Sequence, residues 1–112
     1  MWIRIGYFDG TVLGGAEEKF KDAIDRLYVS GMAACPGVRS VKALWPREYQ
    51  DRPEDGLVCQ VIVEFEDEAG MIAVQKSPER NAVLARMASE ALPLFNGTIS
   101  HINFEAVGES AK

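Results

Sequence analysis

The chain is poor in the residues that build metal sites and disulfide frameworks. Its 112 residues include one histidine and two cysteines, Cys35 and Cys59, with no CxxC or Cys/His spacing. A protein metal site needs several such ligands close together, so we expect none here. Two isolated cysteines are typical of a reduced protein with buried thiols, so we expect a cytoplasmic location, with a Cys35–Cys59 disulfide as the alternative.

Positively charged residues are outnumbered by negatively charged ones, and the apolar runs are short. The 12 Lys and Arg residues face 17 Asp and Glu, which gives a net charge of −5. Because no basic stripe is available to neutralise phosphates, we expect no nucleic-acid partner. The longest apolar runs, such as residues 57–63, are far shorter than the ~20 residues that span a bilayer. The first ten residues alternate and carry Arg4, so we expect neither a targeting segment nor a membrane partner.

The segments that are present follow the order β-α-β-β-α-β. Helical periodicity begins at Ala16, stops at Pro36-Gly37, and returns from Asp67 to Ala91. Four segments alternate or are continuously apolar in the manner of strands: Trp2–Phe8, Val38–Trp45, Leu57–Glu66 and Thr98–Val107. The segment LPLFNG (residues 92–97) is interpreted as a connector. This order predicts a ferredoxin-like α+β fold, with a four-stranded antiparallel sheet and two helices on one face.

The second helical segment is interrupted at Ser77-Pro78. Proline costs least in a first helical turn, so Ser77 as N-cap and Pro78 at the first position are predicted to restart the helix there. A break of this kind, followed at once by Arg80, is interpreted as the wall of a small-molecule pocket.

The predicted fold leaves one sheet face uncovered. We interpret residues 1–107 as a single domain and residues 108–112 as a flexible tail. The uncovered face is predicted to carry an apolar patch, for which a homodimer through the sheet face is the natural cover. The predicted members of this patch are Trp2, Phe8, Ile102, Phe104 and either Ala43 or Trp45.

Four motifs resemble those of the dimeric α+β barrel superfamily, which includes stress-responsive A/B barrel, EthD-like and antibiotic-biosynthesis monooxygenase proteins. They are CPGVRSV (residues 35–41), VIVEFEDEAGM (residues 61–71), KSPERNAV (residues 76–83) and HINFE (residues 101–105). They span nearly the whole chain in the expected order. The resemblance implies that two ferredoxin-like sheets pair as a barrel and that each chain has a pocket between its helices and its sheet.

The resemblance also marks departures from known relatives. In stress-responsive barrels and a related plant polyketide cyclase, the break in the second helix has a His-Pro-x-His pattern, and its second His is a catalytic acid or base in the cyclase. Here Arg80 stands at that place, and a guanidinium does not act as a base near neutrality. Asn103 stands where relatives often have Asp. The haem-degrading members use a strand-one Asn and a His that this chain lacks, so no haem or other cofactor is expected.

Residues on the predicted pocket face are candidates for chemistry. His101 is the candidate proton carrier, Arg80 the candidate anion holder and Asn103 the candidate oxyanion donor. Each has a plain structural alternative: a local hydrogen bond or solvent for His101, an ion pair with Glu79 or Asp67 for Arg80, and strand pairing for Asn103. Strand alternation and the helix break add four expected substrate-binding residues: Tyr7 (alternatively a core residue), Cys59, Val61 and Asn81.

The leading functional hypothesis is a cofactor-free enzyme of small-molecule metabolism. It would bind an apolar, aromatic or polyketide-like substrate and catalyse proton transfer in a cyclisation or isomerisation. One alternative is a cofactor-independent monooxygenase of the same superfamily, in which the substrate itself activates oxygen. Another is a non-catalytic dimeric protein that carries or senses a ligand.

Overall fold

The chain forms a four-stranded antiparallel sheet in the order β2-β3-β1-β4, with its helices on one face. The computed structural model describes residues 1–108 and 110. The strands are β1 (Trp2–Val12), β2 (Val38–Leu44), β3 (Leu57–Phe65) and β4 (Phe95–Glu105). This arrangement confirms the predicted ferredoxin-like α+β fold. Of the predicted tail, Glu109, Ala111 and Lys112 lie outside the described residues.

Three helices cover one face of the sheet. Helix α1 spans residues 17–33 and has a π-helical middle, Ile24–Val29, between the α-helical segments Glu17–Ala23 and Ser30–Ala33. Helices α2 (Glu68–Gln75) and α3 (Pro78–Glu90) follow β3, and a 3-10 turn, Leu92–Leu94, leads into β4. Within the described residues, no helix is long and apolar enough to span a bilayer.

The predicted break between α2 and α3 is confirmed. Ser77 has an extended backbone, its hydroxyl oxygen accepts a hydrogen bond from the backbone N–H of Arg80 at 3.1 Å, and Pro78 begins the helix. The same hydroxyl donates to the carbonyl of Val74 at 2.7 Å, which ties the new helix to the end of the old one. The start of α3, and Arg80 with it, is therefore fixed by one side chain.

Strands β1 and β4 are longer than the sequence predicted, and they pair along their whole length. Gly10 pairs with Gly97 beyond the predicted ends of both strands. A Cβ atom on either glycine would overlap the backbone of the other strand, so the two chains approach closely only because both residues lack one. This contact extends the sheet to Val12 and Phe95, through part of the predicted connector.

The assignment of residues to the two sheet faces was partly wrong. Phe8 is buried under the helices, and Trp2, Ala43 and Trp45 pack against the same core. Alternation cannot say which face the helices cover when both faces of β1 are apolar, and here the helices cover the face of Phe8. Ile102 is correctly predicted to lie on the uncovered face.

The uncovered face, which we call the open face, has an apolar centre. Ile5 lies between Ile62 and Ile102, and in the next row Ile3 lies beside Phe104. Ile102 and Phe104 remain 49% and 39% exposed. Exposed apolar side chains that adjoin one another in this way are typical of an association surface.

Candidate functional site

A cavity of about 240 Å³ lies between the helices and the β1–β4 side of the sheet. Its wall is mainly apolar, with three side chains that carry polar ends. The lining residues are Phe8, Tyr28, Arg80, Leu84, Met87, Leu92, Ile99 and His101. An apolar pocket with a few polar groups is the usual form of a small-molecule site.

His101 reaches the cavity from β4. It pairs with Gly6 of β1, and the ring edge carrying Cδ2 and Nε2 lies over this glycine: a Cβ atom at Gly6 would be 3.4 Å from Cδ2. Because Gly6 has no side chain, the imidazole has room beside β1. The sequence therefore combines a glycine on one strand with a histidine on its neighbour to form part of the wall.

Tyr28 reaches the cavity from the π-helical part of α1. Within that segment the backbone N–H of Ser30 donates to the carbonyl of Asp25, five residues earlier, instead of four. Tyr28 is nearly buried, and burial is the largest cause that raises its pKa, which the charges of Arg80 and Arg4 oppose. The phenol is therefore neutral near pH 7 and is available as a hydrogen-bond donor.

Arg80 reaches the cavity from the first turn of α3. Its backbone N–H is held by the Ser77 cap, so the side chain starts from a fixed point. Among the described residues, none of the salt bridges involves Arg80, and the expected alternative of an ion pair with Glu79 or Asp67 is not formed. Arg80 therefore lines the cavity without an acidic partner among the described residues.

Arg4 is a second cation on the same face, close to the cavity. Its Nη1 donates to Oδ1 of Asn103 at 3.0 Å, while its Nε is buried without a partner in the described part of the chain. Burial, followed by the charge of Arg80, lowers the pKa of Arg4. Asn103 thus holds a guanidinium, a contact that the oxyanion hypothesis did not anticipate.

The charges around the cavity favour a neutral imidazole. Partial burial is the largest cause that lowers the pKa of His101, and the charges of Arg4 and Arg80 lower it further. Although His101 as a whole remains exposed, the two guanidiniums oppose its protonation. Near pH 7 the ring can accept a proton, and it does so beside cations that stabilise negative charge.

The other predicted site residues lie elsewhere. Tyr7 pairs with Gln60 and lies on the open face, so its predicted place in the pocket is wrong. Cys59 and Val61 are on the helix side but are fully packed in the core, and burial raises the pKa of Cys59 to about 12. Asn81 is exposed on α3 and is not among the residues that line the cavity.

Sequence reasoning missed Arg4 and Tyr28. Arg4 alternates with Gly6 and Phe8 along β1, so the correct choice of face would have identified it. Tyr28 lies four residues after Ile24, on the apolar side of α1, where a tyrosine is easily interpreted as part of the core. No pattern in the sequence announces the π-helical segment that carries it.

Several solved structures share this fold. An EthD family protein from Bacillus halodurans C-125 superposes with a TM-score of 0.73 at 13% identity, covering 96% of this chain and 99% of that one. SnoaB from Streptomyces nogalater, described as a cofactor-independent oxygenase, gives 0.64 at 19% identity, with 99% and 97% covered. The chain therefore shares the ferredoxin-like α+β fold of these proteins.

A third structure with this fold binds a large ligand. MhuD from Mycobacterium tuberculosis, described as a heme-degrader with two hemes bound in its active site, gives a TM-score of 0.69 at 19% identity and covers 99% of this chain and 100% of that one. Neither a family model nor a curated protein sequence matches the chain. These likenesses establish the ferredoxin-like α+β fold, and the chemistry must be argued from the cavity.

Proposed function

We propose that the protein is a small-molecule enzyme that removes a proton from an enolisable or phenolic substrate. The observation that carries the proposal is that His101 and Arg80 line one largely apolar cavity. A neutral base and a fixed cation in such a place suit reactions that pass through an enolate or phenolate.

Each residue has a defined part in the proposed step. The imidazole of His101 accepts the proton from carbon or oxygen, and the negative charge that develops on the substrate oxygen is held by Arg80. The phenol of Tyr28 donates a hydrogen bond to the same oxygen. The apolar wall lowers the local dielectric, which strengthens both interactions. Return of the proton to another atom completes an isomerisation or assists a cyclisation.

Proton transfer is tested by hydrogen–deuterium exchange into enolisable aromatic ketones in D2O, followed by NMR. Replacing His101→Gln is expected to lower the catalysed exchange rate by about 10²- to 10⁴-fold, the usual contribution of a general base. Asn96→Ala, on the same strand but at the far end of the open face, is the control and should exchange like the original protein. Equal rates for His101→Gln and the original would refute the proposed role.

A second candidate is a cofactor-independent oxygenase, favoured by the structural likeness to SnoaB. In this reaction the anion made by His101 is oxidised by O2: a phenol becomes a quinone, one oxygen atom is retained, and the other leaves as water. With 1-naphthol, an oxygen electrode should record one O2 consumed for each quinone formed. Deuterium exchange without oxygen uptake favours the isomerase, whereas stoichiometric uptake favours the oxygenase. Binding without either reaction supports a ligand carrier.

The open face is proposed to bind a second copy of the chain, which would complete the barrel. Its apolar rows end in exposed Ile102 and Phe104. A charge there, Ile102→Lys, is expected to convert a dimer to a monomer in analytical ultracentrifugation. Ile72→Lys is the matched control, since Ile72 is 48% exposed on α2, away from the sheet face. A monomeric original protein, or a dimer unaffected by Ile102→Lys, would contradict this partner.

The remaining expectations concern organisation and location. Residues 1–107 are proposed to act as one domain, as the cavity draws on residues from Phe8 to His101. Cys35 and Cys59 are buried free thiols, which suits the proposed cytoplasmic location. The expectation that the reaction needs no cofactor stays a prediction.

A further inference from the structure

Two guanidiniums without acidic partners among the described residues lie together here: Arg80 lines the cavity and Arg4 lies close to it. Four other arginines have an acidic side chain within 4.0 Å, namely Arg26, Arg39, Arg52 and Arg86, whereas Arg47 lines a different cavity. Within the described residues, Arg4 and Arg80 have no such neighbour, and the charge of Arg80 acts on Arg4. In a protein of net charge −5, this pair forms a local excess of positive charge.

The hydrogen bonds of Arg4 are incomplete in a way that an anion would remedy. Asn103 occupies Nη1, but Nε is buried without an acceptor. A buried donor without a partner costs free energy. A carboxylate offers two oxygens to one guanidinium and lowers the repulsion between two of them. The lining holds no Asp or Glu to play this part, so the partner must come with the ligand.

The apolar part of the cavity indicates the size and polarity of the rest of the ligand. Phe8, Met87, Leu92 and Ile99 form apolar walls, and a volume of about 240 Å³ is enough for one substituted aromatic ring. A dianion would be expensive to desolvate among these side chains, so a singly charged group fits better than a phosphate.

We propose that this cavity selects aromatic monocarboxylates, with Arg80 and Arg4 as the carboxylate-binding pair. The inference rests on the proposed function, since it names the substrate class for the same site. Asn103 is a positioning residue that orients Arg4, and Gly6 leaves room for the imidazole above β1.

The test compares benzoate with benzamide, its neutral isostere, by NMR titration of the original protein. Benzoate is expected to bind about ten- to hundredfold more tightly, as charge-assisted hydrogen bonds imply. Phenyl phosphate, which is largely a dianion at neutral pH, is titrated alongside and should bind more weakly than benzoate. Equal binding of benzoate and benzamide would overturn the inference, and tighter binding of phenyl phosphate would overturn the choice of carboxylate.

Variants with matched controls test the two cations. Arg4→Gln and Arg80→Gln should each remove most of the preference for benzoate, whereas Arg86→Gln, farther along α3 and paired with Glu90, should leave it unchanged. Asn103→Asp places a carboxylate against Arg4 and should also weaken benzoate binding. Asn96→Asp makes the same change in net charge on the opposite sheet face and should have no effect. A preference that survives both arginine variants would refute the assignment.

His101 supplies a direct readout because it is the only histidine. The titratable and charged groups that face it are Arg4 on β1, Arg80 on α3 and Tyr28 on α1. A carboxylate among them should raise the pKa of His101 in NMR titration, and benzamide should not. A pKa unchanged by saturating benzoate would place the ligand elsewhere.

Two outcomes distinguish failure of the carboxylate assignment from failure of the proposed function. If benzoate is preferred and the preference persists in His101→Gln, the anion site stands even when no deuterium exchange is found. If exchange depends on His101 but benzoate and benzamide bind alike, the proposed function stands and the carboxylate inference falls.

Discussion

Strands β3 and β4 flank β1 on opposite sides, yet the helices bury the residues of β3 more completely than those of β4. On β3 the helix-side residues Cys59, Val61, Val63 and Phe65 are at most 2% exposed. On β4 the corresponding side carries Ile99, 38% exposed, and then His101 and Asn103, which are also exposed. The same helical layer therefore makes a closed core over one strand and leaves a cavity over the other. The buried core is therefore concentrated at β3, and the proposed chemistry at β4.

The comparison is tested most severely by removing an aromatic ring from β3. Phe65→Ala is expected to lower the free energy of unfolding by about 3–5 kcal/mol, because Phe65 is fully buried. Ile99→Ala, at the cavity wall on β4, should cost less than about 1.5 kcal/mol, since the residue is partly exposed already. Urea unfolding measures both. Similar losses at the two sites would show that β4 is as much a part of the core as β3.

Thiol reactivity provides a second test of β3. Burial raises the pKa of Cys59 to about 12, so at pH 8 the thiolate fraction is roughly 10³-fold below that of an ordinary cysteine. Iodoacetamide should therefore alkylate Cys59 at least that much more slowly in the native protein than in urea. Peptide mass mapping separates Cys59 from Cys35. Rapid native labelling of Cys59 would mean that the helices open over β3.

The N-cap of α3, Ser77, provides a test on the cavity side of the sheet, over β4. Ser77→Ala is expected to destabilise the protein by about 1 kcal/mol, since it leaves the backbone N–H of Arg80 without its acceptor. Benzoate binding should weaken as well, because Arg80 starts from this turn. Ser89→Ala, an exposed site on the same helix, is the control and should remain within about 0.5 kcal/mol of the original. Equal effects of the two substitutions would contradict the proposed role of Ser77 in positioning Arg80.

The smallest expected effect is the pH dependence due to His101. Its pKa is lower in the folded chain than in the unfolded chain, so the unfolded state binds more protons in the window between the two values. The stability that this residue contributes is complete above its ordinary pKa of about 6.5 and is lost as the pH falls below it. His101→Gln should flatten the stability profile in that window. A profile of unchanged slope would contradict the charge environment described for the cavity.

Most of the fold and part of the site could be predicted from the sequence. The order of elements followed from periodicity, and the break at Ser77-Pro78 followed from the chemistry of helix caps. The absolute faces of β1 did not follow, because Ile3 and Ile5 on one side are as apolar as Phe8 on the other. His101 and Arg80 reach one cavity, whereas Tyr7 does not, and that difference depends on tertiary packing.

Two further features depend on contacts that a single segment does not contain. The extension of β1 and β4 needs Gly10 and Gly97 opposite each other, nearly ninety residues apart in the chain. The contribution of Arg4 needs Asn103 on the neighbouring strand. Local patterns predict where strands lie, but pairing decides how far they run and which polar groups meet.

The wide turn in α1 has a consequence for how this chain tolerates a change in length. Between Ile24 and Val29 the helix accommodates one residue more than an α-helical turn, and the hydroxyl of Ser30 also bonds to the carbonyl of Asp25 at 3.2 Å. Deleting a single residue there would return the backbone to α-helical spacing, and the residues that follow, including Gly31 where it meets Val83, would keep their orientation around the helix axis. Relatives that are one residue shorter in α1 should therefore lack the wide turn and keep this contact, and larger differences in length should fall in the irregular segment 46–56.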